Sequence, residues 1–271
     1  MDLGGSFKDK LIAFIDILGY KSKVEAAERG SKADLASLLE QCSKLRQPSH
    51  VEAISLHGPM ICPDSKHVSR TLDYEVSQVS DSALVSVEVS PAGVANLLYH
   101  VSAAVGSLLR RGSMVRGYVC RGRIYHSGNM FLGTGYNNAV SQEKKVRAFR
   151  LPSDGPSTPF VEIDSAVVEY VKNETDPCVQ EMFERLTASD AVGITVIHPV
   201  KRLFSMAASG FSLEQVERNL GVVIGWIERF LSELESQSPE HDSMANAKAK
   251  YYRRFLNEEL EKCKRTRASL R

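Results

Sequence analysis

Hydrophobic and polar positions in the first part of the chain follow the periods of strands and helices. Residues 11–20 are apolar apart from Asp16 and predict a central strand, and the helical spacing of apolar residues over 91–111 predicts a long helix. Proline and glycine residues between 47 and 72 predict a loop. The pattern also predicts strands at 74–79, 83–89, 114–125, 160–163 and 194–197, and helices at 22–46, 137–149 and 164–186.

The order of these elements is β-α-β-β-α-β, followed by a helix and a strand, which is the ferredoxin-like pattern. We therefore expect an α+β fold with a mixed, mostly antiparallel sheet. Residues 212–271 differ, because two long amphipathic helices predict a helical hairpin. We divide the chain into a sheet domain over 1–200 and a helical extension over 201–271. The hairpin either packs against the sheet domain or forms a dimer contact.

Composition and charge narrow the class of protein. The chain has 271 residues, 43% hydrophobic and 25% charged, with a formal net charge of +1. The composition is ordinary for a globular protein. The net charge is too small to create an overall electrostatic field that would attract nucleic acid or an anionic membrane. We find no secretory signal and no run that approaches a membrane span. Five cysteines without a CxxC motif support neither a disulfide framework nor a zinc site, so we expect a cytoplasmic protein.

Asp16 is the most informative residue because it places a carboxylate in an apolar strand, where it requires a metal, a hydrogen bond or a cation. Asp81 lies between the strands at 74–79 and 83–89 and becomes its neighbour if these strands lie side by side. Two carboxylates beside the turn at Gly19 predict a divalent-metal site that binds a nucleoside triphosphate. The Ile17 carbonyl would bind metal and the amides of 17–19 would bind phosphate. The simpler alternatives are a hydrogen-bonded Asp16 and an Asp81 that serves only the turn.

Four short segments occur in an order that is more specific than any one of them alone. They are Phe14-Ile15-Asp16-Ile17-Leu18-Gly19-Tyr20, Val79-Ser80-Asp81-Ser82, Met114-Val115-Arg116-Gly117-Tyr118 and Gly133-Thr134-Gly135-Tyr136-Asn137-Asn138-Ala139-Val140-Ser141-Gln142-Glu143. Over about residues 8–165 they resemble, in turn, the first metal motif, the second metal aspartate, the strand after the long helix and the start of the last core helix of the class III nucleotidyl cyclases. The closest subset is the pyrimidine cyclases of Pycsar anti-phage defence.

The resemblance implies cyclisation of a nucleoside triphosphate to its 3′,5′-cyclic monophosphate with two Mg²⁺ or Mn²⁺ ions. Asp16, Asp81 and the Ile17 carbonyl would be the metal ligands, and Asn137 would orient the ribose across a homodimer interface. The product would activate a separate effector protein. The substrate would lie against the residues of the first motif, namely Phe14, Ile17, Leu18, Gly19 and Tyr20.

Departures from the family pattern affect the cation and the base. Ser141 stands where family members carry a transition-state arginine, so Arg116 and Lys144 are our candidates for that charge, with Lys145, Arg147 and Arg123 as further possibilities. Ser77 and Met130 stand where adenylyl cyclases read the base. We therefore expect a pyrimidine substrate contacted by Tyr74, with cyclic UMP preferred over cyclic CMP. The alternatives are a purine cyclase with a rewired pocket and a catalytically silent nucleotide sensor.

Overall fold

Eight strands within the described residues form one mostly antiparallel sheet, which confirms the predicted α+β class. The computed structural model describes residues 5–30, 35–60, 65, 71–151, 155, 157–201, 212–236 and 243–270, with the side chains of 243–247 excepted. The strand order is β2-β3-β1-β4-β6-β8-β7, with β5 paired to β4, and the β4–β6 pair is parallel. The strands are β1 (Lys8–Ile17), β2 (Tyr74–Val79), β3 (Ser82–Glu88), β4 (Val115–Ser127), β5 (Met130–Leu132), β6 (Val161–Ile163), β7 (Thr187–Ser189) and β8 (Thr195–Ile197).

The topology places the end of β1 beside the turn between β2 and β3. β1 is central because β3 and β4 flank it, and both pairs are antiparallel. Asp16, near the end of β1, is therefore the register partner of Ser82, the first residue of β3. This is the ferredoxin-like arrangement that the order of elements predicted.

Nine helices in the described part of the chain surround the sheet, and they differ from the sequence prediction in three places. The predicted helices over 22–46 and 164–186 are each divided in two, and the predicted loop over 47–72 contains a helix. Pro48 and Pro177 each occupy the first turn of a helix, where proline is tolerated, so they start helices that we did not predict. The helices are α1 (Tyr20–Glu28), α2 (Leu35–Arg46), α3 (Pro48–His57), α4 (Pro91–Leu109), α5 (Thr134–Glu143), α6 (Ser165–Asn173), α7 (Pro177–Leu186), α8 (Leu213–Ser236) and α9 (Ser243–Ser269).

The two faces of the sheet have different cores. Alternate residues of β1, from Leu11 to Ile17, are buried with α4 and α2 in the larger core. The intervening β1 residue Ile12 lies on the other face, in a smaller cluster with Ala139 of α5. Lys10 and Asp16 share this second face with Ile12 because side chains alternate along a strand. The face that carries Asp16 is therefore the one covered by α5.

The prediction that no apolar run approaches the length of a membrane span is wrong, because one described helix meets the criteria of length and composition. The apolar helix α4 is long enough to cross a membrane, although 83% of its apolar window is buried within the protein. It begins at Pro91 after Ser90, whose side chain accepts a hydrogen bond from Gly93 N. Burial of this kind is typical of the core helix of a sheet domain.

The C-terminal helices α8 and α9 pack against the sheet domain, which was one of the two roles left open for them. They share a buried cluster with Phe160, whose ring lies 5.3 Å from those of Tyr252 and Phe255. Tyr251 donates a hydrogen bond of 3.1 Å to the carbonyl of Ala148. The division of the chain at residue 200 stays a prediction.

One of the described cysteines is disulfide-bonded, although the sequence supports no disulfide framework. Cys42, Cys120 and Cys263 are free thiols, whereas Cys178 at the start of α7 is disulfide-bonded. An odd number of cysteines does not exclude a single disulfide, and a disulfide is unusual in the reducing cytoplasm that the cysteine pattern led us to expect.

Candidate functional site

The structure brings Asp16 and Asp81 together at one edge of the sheet. Ile17 N donates a backbone hydrogen bond of 3.0 Å to the Asp81 carbonyl, and Asp16 is opposite Ser82 in the β1–β3 register. The two aspartates are 65 positions apart in the sequence, and the antiparallel pairing of β1 with β3 brings them together. Two carboxylates thus lie where β1 ends and the chain turns into α1.

Asp16 lies in an environment with more negative than positive charge. Burial raises the pKa of its carboxyl to about 6, against the opposing effect of a 2.7 Å hydrogen bond that Ser82 Oγ donates. The charges of Asp81 and Glu143 raise this pKa further, and Arg116 lowers it. A cation bound here would therefore be favoured, because it would compensate a carboxylate that burial has partly deprived of water.

Asp81 occupies the two-residue turn between β2 and β3. Its side chain is half-buried and makes no hydrogen bond or ion pair with any residue that the structure describes. The preceding residue, Ser80, has φ 55°, in the left-handed region that non-glycine residues seldom adopt. Strain of this kind is often found at functional sites, and here it accompanies a carboxylate that is free to bind a ligand.

The turn from β1 into α1 corrects the prediction about which amides are available for phosphate. Ile17 N and Leu18 N are already bonded, to the carbonyls of Asp81 and Met114. Gly19 has φ 73°, and no side chain caps α1, so the amides of its first turn remain available for an anion. The Tyr20 side chain is buried and its hydroxyl donates to the Leu38 carbonyl at 3.0 Å, so Tyr20 would contact substrate only through its backbone.

The donor set fits a hard divalent cation. The described residues contain no group of three or more His, Cys, Asp or Glu residues that could hold a metal by themselves. Mg²⁺ typically binds through one or two carboxylates and completes its shell with water and substrate phosphates. Asp16 and Asp81 supply those carboxylates, with the Ile17 carbonyl next to Asp16 in sequence.

The predicted contact between Tyr74 and the base is wrong, because Tyr74 lies on the opposite face of the sheet. It is the register partner of Val87, which belongs to the larger core. Its hydroxyl lies 2.6 Å from His100 Nδ1 of α4, and its partly buried side chain packs against the larger core. Side chains alternate along β2, so Ser77 and not Tyr74 shares the face of Asp16.

A buried polar network on the Asp16 face was missed by the sequence analysis. His126 has its two ring nitrogens 2.7 Å from Ser77 Oγ and 2.8 Å from Ser86 Oγ. Burial lowers the pKa of His126 to about 4, so the ring is neutral near pH 7. Lys10 Nζ is 3.5 Å from Ser86 Oγ and pairs with Asp73 at 2.6 Å. In the sequence, His126 is one of several scattered histidines. Only the alternation of side chains along β2, β3 and β4 could have indicated that Ser77, Ser86 and His126 lie on the same face of the sheet.

Helix α5 carries the predicted ribose and cation residues on its exposed surface. Asn137 and Ser141 are exposed, as is Lys144 directly after the helix. Glu143, by contrast, is buried and accepts a hydrogen bond from Arg116 Nε, while Arg116 Nη1 donates to Ser157 Oγ at 3.0 Å. Of the two candidate cations, Arg116 therefore lies on the Asp16 face but is already paired, and Lys144 is exposed to solvent.

Helix α5 approaches β4 closely at Gly135. A Cβ on Gly135 would lie 2.4 Å from Ile12 Cδ1 and 3.0 Å from the backbone of Gly122. Gly135→Ala should therefore displace α5, cost about 1–3 kcal/mol of unfolding free energy and lower triphosphate turnover at temperatures where the protein stays folded. Urea unfolding and product assays on the same preparations would measure both effects. Gly225→Ala on α8 is the control, because a Cβ there meets no atom within 4 Å. Equal behaviour of the two variants would contradict the close packing of α5.

Comparison with known proteins gives a structural likeness only. No family model matches this chain, and no curated protein matches it. Among solved structures, sixteen chains match, and one is described as the catalytic core of a rhodopsin-guanylyl cyclase with converted specificity in complex with ATPalphaS. It is 12% identical with a TM-score of 0.41, and the alignment covers 70% of this chain and 96% of that one. A likeness at this TM-score and identity does not indicate the activity of this chain.

Proposed function

We propose that this protein is a metal-dependent nucleotide cyclase that acts on pyrimidine nucleoside triphosphates, with UTP preferred over CTP. The observation that carries the proposal is the juxtaposition of Asp16 and Asp81, held by the 3.0 Å hydrogen bond from Ile17 N to the Asp81 carbonyl. Neither carboxylate is neutralised by an ion pair with a described residue, and the uncapped start of α1 follows directly at Gly19. Carboxylates for cations and amides for phosphates are the donors that a bound metal–triphosphate requires.

The reaction forms a bond between the ribose 3′ oxygen and the α-phosphorus and breaks the bond from that phosphorus to the departing pyrophosphate oxygen. The 3′-hydroxyl proton is lost to water. Two Mg²⁺ or Mn²⁺ ions, when bound, supply the charge that lowers the pKa of the 3′-hydroxyl and neutralises the phosphates. Asp16 and Asp81 would hold these ions with the Ile17 carbonyl. Asn137 would orient the ribose, and Lys144 or a released Arg116 would stabilise the leaving pyrophosphate.

The choice of a pyrimidine rests on residues that the Asp16 face presents. Ser77 and Met130 stand where the adenylyl cyclases that the motifs resemble read a purine. The Ser77 hydroxyl donates to the Gly128 carbonyl and contacts a neutral His126, so this position offers no lysine charge to a base. Tyr74 has no part in this proposal, since it lies on the other face.

We further propose a homodimer in which Asn137 of one subunit reaches the substrate held by the carboxylates of the other. The exposure of Asn137 supports this arrangement, because the residue has no role within its own subunit's core. The product, cyclic UMP or cyclic CMP, would act in the cytoplasm as a second messenger in Pycsar anti-phage defence and be recognised by a separate effector protein.

A panel of the four nucleoside triphosphates with Mn²⁺ tests the activity and the base at once. We expect mass spectrometry of the products to find cyclic UMP most abundant and cyclic CMP next. Cyclic AMP or cyclic GMP alone would show a purine cyclase and overturn the base assignment. No cyclic product from any triphosphate would contradict the enzymatic proposal.

A nucleotide sensor without turnover is the second candidate. It is favoured by the pairing of Arg116 with Glu143 and by Ser141 at the position of the expected arginine. Tight binding of UTP with Mn²⁺, measured by calorimetry, together with no cyclic product would support the sensor and exclude the cyclase.

A further inference from the structure

Arg116 on β4 lies directly opposite Asp16 on the neighbouring strand β1. The two residues are register partners in the β1–β4 pair, and their side chains lie on the same face. Opposed residues in an antiparallel pair have Cβ atoms about 4.5–5.5 Å apart, which is close enough for an arginine and a carboxylate to bond. Arginine binds carboxylates strongly, often through two parallel hydrogen bonds. An ion pair between Arg116 and Asp16 would occupy the carboxylate oxygens that a metal needs.

The structure shows Arg116 turned toward a different acid. Its Nε donates to Glu143 at the end of α5, and its Nη1 donates to Ser157 Oγ at 3.0 Å. The side chains of Arg116 and Glu143 are only 14% and 3% exposed, so the pair is enclosed by protein. Within the part of the chain that the structure describes, Asp16 accepts a side-chain hydrogen bond from Ser82 and makes no ion pair.

We infer that Glu143 is a positioning residue that holds the Arg116 guanidinium away from Asp16 and thereby keeps the Asp16 carboxylate available to a divalent cation. This inference rests on the metal site of the proposed function. Both Glu143 and Arg116 act electrostatically on the Asp16 carboxyl, which places the three groups within range of one another. Glu143 is the last residue of α5, so the docking of α5 on β4 also sets the charge around Asp16.

Mn²⁺ affinity, measured by the electron paramagnetic resonance signal of the free ion, tests the inference without reference to turnover. In Glu143→Gln the guanidinium loses its charged partner and should move to Asp16, so we expect affinity to fall by about tenfold or more. Removing the competing cation as well, in Arg116→Gln/Glu143→Gln, should return affinity to within about threefold of the wild type. Glu162→Gln is the matched control, because Glu162 is also buried but bonds the amides of Arg147 and Ala148.

Three results would overturn the inference. The first is Mn²⁺ affinity in Glu143→Gln equal to that of the wild type. The second is a double variant that binds Mn²⁺ as weakly as Glu143→Gln does. The third is weaker Mn²⁺ binding in Arg116→Gln alone, because in that variant no guanidinium competes with the metal for Asp16. The last variant also serves if Glu143→Gln does not fold. A wild-type protein that binds no Mn²⁺ would overturn the metal site itself, and this outcome is distinct from failure of the variants.

Discussion

Replacing Asp16 by asparagine should lower triphosphate cyclisation by at least about a thousandfold, which corresponds to about 4 kcal/mol of transition-state stabilisation. Asparagine keeps the size of the side chain and an acceptor for the Ser82 hydroxyl, but it removes the charge that a divalent ion requires. Steady-state assays with UTP and Mn²⁺ would measure the loss. Asp9→Asn is the control, because Asp9 lies on the same strand, is exposed and pairs with Arg121 away from the site.

The same substitution should not destabilise the metal-free protein. The pKa of Asp16 in the folded protein, about 6, lies above its ordinary value of 3.8. Between these two pH values the folded state binds more protons than the unfolded state, so the free energy of unfolding decreases as the pH rises from about 4 to about 6. Asparagine mimics the neutral form, so at pH 8 with chelator we expect the variant to be more stable by about 1 kcal/mol, after allowance for partial solvent exposure. The difference should vanish near pH 4. Urea unfolding at the two pH values would detect it, and a large loss of stability at pH 8 would contradict this electrostatic account of Asp16.

Phe160→Ala should cost about 3–5 kcal/mol of unfolding free energy, the range typical of a large aromatic residue removed from a core. Phe160 is 1% exposed and precedes β6, where its ring meets aromatic side chains of α9. Its carbonyl also accepts a 3.1 Å hydrogen bond from Gly117 N on β4. The residue therefore joins the C-terminal helices to the strands that lead to the site.

The single tryptophan, Trp226 on α8, provides a local probe for this experiment. It packs against the same cluster as Phe160, so its fluorescence should follow the loss of that packing in urea. Phe7→Ala is the control, because Phe7 is 47% exposed and should be close to neutral. An unfolding midpoint in Phe160→Ala equal to that of the control would mean that the helices are held by other contacts.

The strands and helices that position the site could be predicted from the sequence because their periodicity is strong. β1, the β2–β3 hairpin, α4 and β4 all follow apolar patterns that are long enough to be distinguished from one another. Their order implied the ferredoxin-like topology, and that topology brings Asp16 to Asp81. β6 and β8 are as short as β5 and β7 but were predicted from their apolar residues. β5 was missed because the flanking Gly128 and Gly133 are typical of a loop, and β7 because Thr187-Ala188-Ser189 contains no large apolar residue.

Other errors have identifiable physical causes. Pro48 contributes to the predicted loop over 47–72, although proline is also compatible with the first turn of a helix. Tyr74 was assigned to the base although its position relative to Ser77 places the two on opposite faces of β2, a test that the sequence alone allowed. The pairing of Arg116 with Glu143 could not have been predicted, because the two residues are 27 positions apart and their contact depends on how α5 docks on β4.

Anomalous diffraction from crystals grown with Mn²⁺ and a non-cyclisable UTP analogue is the most direct test of the central claim. We predict manganese peaks beside the carboxylates of Asp16 and Asp81, with triphosphate oxygens on the same ions. Manganese bound elsewhere, for example at Asp73 and Glu75 near the opposite end of β1, with Asp16 and Asp81 free of metal, would contradict it.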